Sequence, residues 1–184
     1  AVDDAAAEAR AALGALINAS LRRPAALKGR FEAFSELFDI SIAAHLDGFR
    51  AARPSREAYA SETARWRALA RSVRAATPAE VDCGLLLVSC AQLQESLVTK
   101  AEALADGVAR LLADEIGRHA RELIARHEAI AERLRDASAS AEDVIERKAY
   151  LASCEVELRG LYTSIEGKLM ADVGLLETFG FALA

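Results

Sequence analysis

Apolar residues recur along most of this chain at alternating steps of three and four. The longest such stretch covers residues 91–134, where Leu93, Leu97, Ala101, Leu104, Val108, Leu111, Leu123, Ile130 and Leu134 share one side and Glu, Arg, Lys and Asp fill the others. That spacing is the period of an amphipathic helix, and no proline interrupts it. At about 1.5 Å per residue this helix would run roughly 65 Å and need a partner over its stripe. Residues 141–179 offer one. Val144, Lys148, Leu151, Glu155, Leu158, Tyr162, Ile165, Leu169, Val173, Leu176 and Phe179 step by four and three throughout. A heptad period suits shallow, left-handed packing of two helices, and a short connection at 138–141 makes them antiparallel neighbours. Ser140, followed by Glu142 and Asp143, reads as the cap of the last helix. Lys148 and Glu155 fall in the stripe and are expected at its rim with snorkelling stems.

Upstream, the pattern predicts shorter helices. Residues 3–23 form a first helix with Leu13, Leu16, Ile17 and Leu21 on its apolar side and Asp3 and Asp4 in its first turn, and Pro24 ends it. Residues 27–38 form a second, where Phe31, Phe34, Leu37 and Phe38 cluster as core, and the apolar pattern continues through Ile40, Ile42, Leu46 and Phe49. After a loop at 50–54, Ser55 is a candidate N-cap for a helix over 55–76 that carries Tyr59, Glu62, Trp66, Leu69 and Val73. Trp66 is expected to bury its ring and keep its N–H near the edge. Thr77-Pro78 breaks that helix. The run from Val81 to Cys90 has a glycine and no helical period, so it reads as a buried extended crossing or short strand, with Ser89 as a possible cap for the long helix. The fold class is thus all-α: an elongated helical bundle with a short extended segment near 81–90 and a long antiparallel hairpin near 91–179. Residues 1–76 form a short-helix bundle, 77–90 the crossing and 91–184 the hairpin.

Composition narrows the functions rather than naming one. Charged residues make up 28% of the chain, mixed in sign, with a net charge of −5 and a pI near 5.3. A nucleic-acid surface or an anionic membrane face would call for clustered Lys and Arg instead. No run of about 18 apolar residues occurs, so nothing in the sequence reads as a membrane span. Three widely spaced cysteines, Cys83, Cys90 and Cys154, fit a reducing compartment better than a disulfide framework and give no zinc spacing. Cys90, following apolar residues, reads as a buried inert thiol. His119, Glu122 and His127 lie on the long helix, but a di-metal bundle needs Glu-x-x-His on two helices, and here only the reverse order occurs, once. No phosphate loop and no nucleophile–base pair is evident. The segment is therefore expected to be non-catalytic and to hold no cofactor or metal. Without an initiator methionine or a clear finish, it also reads as a piece of a longer polypeptide.

Four stretches together carry a resemblance. They are Phe31-Glu-Ala-Phe-Ser-Glu-Leu-Phe-Asp; Ser55-Arg-Glu-Ala-Tyr59 leading to Trp66-Arg-Ala-Leu; Val81-Asp-Cys-Gly84-Leu-Leu-Leu-Val-Ser-Cys90 with Leu93 and Leu97-Val-Thr-Lys-Ala; and Ala141-Glu-Asp-Val-Ile-Glu-Arg-Lys-Ala-Tyr-Leu running on to Leu176-Glu-Thr-Phe179-Gly-Phe181. In order and spacing this resembles the tail of dynein heavy chains, of the axonemal type, just before the linker to the motor ring. The third stretch departs from the family pattern, with Leu86 in place of an aromatic residue and Ser89 in place of an acid. The resemblance implies a structural, force-transmitting segment of an ATP-driven microtubule motor in the cytoskeleton, specifically the axoneme of a cilium or flagellum. It also implies other heavy chains, intermediate and light chains and the chain's own linker as partners, and ATP with magnesium only in the motor part. It carries no functional residue onto this segment. Packing or interface candidates are Phe31, Phe34, Phe38, Trp66, Leu151, Leu158, Ile165 and Leu169. The alternative reading is a stand-alone, spectrin-like helical adaptor.

Overall fold

A computed structural model describes residues 2–84, 87–140 and 144–180. The chain is all-α apart from one hairpin. In order come α1 (Val2–Glu32), α2 (Ser35–Asp39), α3 (Ile42–Ala51), α4 (Arg56–Ala76), β1 (Glu80–Asp82), β2 (Leu87–Ser89), α5 (Ala91–Ser140), α6 (Val144–Ser164), a π-helical turn (Ile165–Leu169) and α7 (Met170–Thr178). Two compact units form. One takes residues 1–53 and 61–106, the other 54–60 and 107–184, so the 50-residue α5 contributes to both.

The first unit packs Leu27, Phe31, Phe34, Leu37, Trp66, Ala70, Val73, Cys90, Leu97, Val98, Ala101, Leu104 and Ala105 into one core. Here α5 buries a broad face, because Leu97 and Val98, then Leu104 and Ala105, are sequence neighbours that turn inward together. In the second unit Leu123, Ile130, Cys154 and Leu161 form the centre of a cluster joined by Leu134, Tyr150, Leu158, Ile165 and Leu169. After Val108, Ala109 and Leu112, α5 narrows to one buried residue every seventh position: Ile116, Leu123, Ile130. That is the seam of a two-helix contact rather than the wide stripe of a core helix.

Several expectations are corrected by these elements. Pro24 does not end the first helix; α1 runs through it to Glu32. Proline forfeits only its own bond to the carbonyl of residue 20, and the burial of Leu27 and Phe31 one and two turns later holds the continuation. The helix expected over 27–38 is broken instead at Ala33–Phe34, where the N–H groups of Phe34 and Leu37 close tight turns onto Phe31 and Phe34. That break re-aims α2, so Leu37 is fully buried and Phe38 is 47% exposed. The extended crossing is a hairpin: β1 and β2 pair antiparallel, Val81 opposite Val88. Its turn begins at Cys83–Gly84, where Gly84 has φ +85° and donates its N–H to Asp82 Oδ1 at 2.7 Å. A Cβ at Gly84 would stand 3.4 Å from Ser20 Oγ, which places the turn against α1. Ser89 lies inside β2, and the cap position of α5 falls to Cys90, whose carbonyl receives the Gln94 N–H. Ser55 does cap α4, its Oγ accepting from the Ala58 N–H at 3.3 Å.

The last helix also differs. It is interrupted by the π-helical turn. Its buried side follows Tyr150, Cys154, Leu158 and Leu161 up to Ile165 at the start of that turn, and Leu151, Glu155 and Tyr162 from the expected stripe face solvent. The tight connection expected at 138–141 is corrected over its first three residues, because α5 continues through Ser140; residues 141–143, Leu85, Leu86, Phe181 and the side chains of Asp3, Ser140 and Val144 lie outside the described residues.

Candidate functional site

The densest polar arrangement in the first unit surrounds Trp66. Its ring is fully buried with its Nε1, which finds no hydrogen-bond partner among the described residues. The expected position of that N–H near the edge is therefore corrected; packing by α3 closes over it. The His45 ring meets the Trp66 ring edge-on, with centroids 5.3 Å apart and planes at 89°. The Arg65 guanidinium lies over the same indole, 4.4 Å from the ring centroid. Arg65 also bridges Glu36 of α2 at 2.5 Å and Glu62 of α4 at 3.3 Å. His45 Nε2 stands 3.0 Å from Glu62 Oε1, within ion-pair reach but not oriented as a hydrogen bond.

Sequence spacing explains this assembly. Glu62, Arg65 and Trp66 fall within one turn of α4, and Ser41 starts α3 by accepting the Ala44 N–H, which brings His45 over that turn. A histidine beside a carboxylate is the pairing used in general-base catalysis. Here the imidazole meets the Trp66 indole beside that carboxylate, and an indole is no nucleophile. The arrangement ties α2, α3 and α4 together.

In the second unit, Arg133 of α5 donates to both carboxylate oxygens of Glu157, at 3.1 and 2.8 Å, and to Tyr150 Oη at 3.2 Å. Glu157 and Tyr150 accordingly hold the guanidinium more basic than usual, the carboxylate contributing most. Arg56 donates from Nε to Asp172 Oδ1 at 2.6 Å and from Nη2 to the Lys168 carbonyl at 3.3 Å. The second bond meets a carbonyl inside the π-helical turn. Such turns re-route backbone acceptors away from the i to i+4 ladder, and here the guanidinium supplies a donor to one of them. Along α5, Arg118 pairs with Glu115 and Glu122. Arg118 lowers the Glu115 pKa, and Glu115 in turn raises that of Arg118.

The sequence candidates distribute over both units. Phe31, Phe34 and Trp66 join the first core, and Leu158, Ile165 and Leu169 flank the second. Phe38 and Leu151 lie at the surface. His119 Nδ1 is 3.9 Å from Glu122 Oε2, and among the described residues no group of three or more His, Cys, Asp or Glu side chains is arranged to hold a metal ion. Cys83, Cys90 and Cys154 are buried free thiols. Among the described residues no helix is long and apolar enough to cross a membrane. Sequence reasoning missed Arg56, Arg133 and Asp172. The signal for Arg133 and Glu157 was available as opposite charges flanking two neighbouring stripes; nothing local marks Arg56 and Asp172, which are distant in sequence. No protein-family model, curated protein or solved structure matches the chain.

Proposed function

We propose that this chain is a non-catalytic, force-transmitting segment of a dynein heavy-chain tail, working in the axoneme of a cilium or flagellum. The observation that supports a mechanical role is α5. One uninterrupted helix, Ala91–Ser140, supplies core residues to both compact units. At about 1.5 Å per residue it spans about 75 Å, and every turn carries its own backbone hydrogen bonds, so it resists bending as a loop-rich connector does not. The polar clusters fit the same role, since Arg65, Arg133 and Arg56 each tie one helix to another rather than converge on an open cavity. The motor family itself rests on the four sequence stretches above, and ATP and magnesium belong to other parts of such a chain. The partners on this reading are other heavy chains, intermediate and light chains and the linker, with microtubules reached through the complex.

An antibody raised against residues 91–140 tests the assignment in extracts of ciliated cells. A very large polypeptide that sediments with microtubules and is released by ATP is expected. A small polypeptide indifferent to ATP would sink the motor assignment and favour the free-standing adaptor. Steady ATP turnover by the purified segment would overturn its non-catalytic role.

A further inference from the structure

Helix α1 is covered over its last two turns and bare before them. Leu27 and Phe31 enter the first core, and the hairpin turn stands against Ser20. None of the described residues from Asp4 to Arg22 is buried. Within that stretch Leu13, Leu16, Ile17 and Leu21 are 43–59% exposed. Their steps of three, one and four residues put them on one side of the helix. Leu13 stands two heptads before Leu27, so this side continues the one that the first core covers. A single exposed leucine is ordinary, whereas a contiguous row of large aliphatic side chains marks a contact surface. The charge around the row is one-sided. From Ala9 to Phe31 the chain has five Lys or Arg and no Asp or Glu, although its net charge is −5. Arg10 lies seven residues before Ile17 and Lys28 seven after Leu21, so a cation follows the apolar row at each end. Both are exposed, Lys28 with Glu32 at 3.4 Å.

We propose that Leu13, Leu16, Ile17 and Leu21 dock an acidic amphipathic helix of a partner protein. This inference stands independently of the motor reading. A helix recognised by its apolar face uses anchors at three- and four-residue steps, and charges beside the seam choose the partner. The matching helix carries leucine-type residues along its seam, with Glu or Asp at the positions beside it. A second copy of this chain is a poor occupant, because two copies of the segment from Arg10 to Phe31 bring cations against cations. An anionic bilayer attracts the same cations, but it repels a chain that is negative as a whole, and the bare stretch has no Trp, Tyr or Phe to seat among headgroups. Nucleic acid would use the cations and leave the leucines in water.

A fluorescein-labelled heptad peptide with leucine at its seam positions and glutamate at the positions beside them serves as the probe, since its own carboxylates keep it from pairing with itself at neutral pH. Anisotropy is measured against the full 184-residue chain. Wild-type protein is expected to bind it, and Leu13→Ala with Ile17→Ala to weaken binding about tenfold or more. Alanine keeps the helix, and both side chains are at the surface, so the urea midpoint read by Trp66 fluorescence stays unchanged. Arg10→Glu with Lys28→Glu is expected to weaken the glutamate probe and to prefer a lysine version of it, and this variant decides the matter alone if the alanine variant loses helix. Absence of binding to wild type at submillimolar protein overturns the proposal. So does equal binding by wild type and both variants. A concentration-dependent dimer of the free chain that the alanine variant abolishes would assign the row to a second copy and overturn it. Binding to phosphatidylserine vesicles in place of the peptide, lost in the alanine variant, would assign it to lipid and overturn it as well.

Discussion

Leu161 and Leu151 lie on the same helix and were built by the same residue type, yet the fold uses them differently. Leu161 is 2% exposed at the centre of the second cluster, whereas Leu151 is 45% exposed. Replacing leucine by alanine removes three carbons. At about 0.8 kcal/mol per buried carbon the transfer loss at Leu161 is about 2.4 kcal/mol. The space left behind, walled by Leu123, Cys154, Leu158 and Ile165, adds a cavity cost that brings the expected total to about 3–4 kcal/mol. At Leu151 only part of the side chain leaves water on folding and solvent fills the gap, so the expected cost is below about 1 kcal/mol. Urea unfolding followed by far-UV circular dichroism gives both values, provided the slope against urea is unchanged between variants. Trp66 fluorescence, whose only source is in the first unit, shows separately whether that unit responds. Equal losses at the two positions, or a larger one for Leu151→Ala, would refute the burial phase described for α6 and restore the heptad through Leu151, Leu158 and Ile165.

Three further outcomes follow from local geometry. Gly84→Ala is expected to destabilise the first unit by about 1–2 kcal/mol, because φ +85° is strained for alanine; Trp66 fluorescence in urea measures it. Pro24→Ala is expected to stabilise the middle of α1 by about 1–3 kcal/mol by restoring a backbone donor, read as slower amide exchange around residues 20–24. Glu57 has its pKa lowered, first by a backbone hydrogen bond and then by Ser55, at the start of α4. Because the folded value lies below the unfolded one, its contribution is present above the ordinary carboxylate pKa and lost as pH falls through the lowered value. Glu57→Gln should therefore flatten the pH dependence of thermal stability in the acidic range and leave neutral-to-alkaline slopes unchanged.

How much of the fold is legible in the residues depends on what competes with periodicity. The α5 pattern has no proline and a sustained three-and-four period, so the helix forms there, although Leu93 of the expected stripe is exposed and Leu112 and Ile116 are buried outside it. At α1 the local rule that proline stops a helix gave way to tertiary burial of Leu27 and Phe31, which no local rule can weigh. In the run from Val81 to Cys90, absence of helical period correctly excluded helix, but the reversal depends on Gly84 adopting positive φ beside an aspartate, a turn signal hidden inside an apolar run. The Trp66 cluster was legible as aromatic core; that His45 would close over it depends on the chain breaks at Ala33–Phe34 and Ile40–Ser41, which set where α3 lies.

The last helix shows why a clean heptad can be misphased. Apolar residues stand on more than one side of α6: Leu151, Val156 and Tyr162 are exposed, and Cys154, Leu158 and Leu161 are turned inward. Two stripes of three-and-four spacing are thus available, one through Leu151, Leu158 and Tyr162 and one through Tyr150, Cys154 and Leu161. Spacing alone weighs them equally. Arg133 helps set the phase that the fold adopts, because its fork reaches Glu157 and Tyr150 together only when that side of α6 faces α5. A surface pair of this kind adds little to stability, since solvent screens it. Its larger effect is on register, since a rotation of α6 toward the rival stripe would carry Glu157 out of reach and leave Cys154 and Leu161 in water. The rotation of the helix, and with it the difference between the leucines at 151 and 161, is therefore set by burial and reinforced by a charge pair that three-and-four spacing does not reveal.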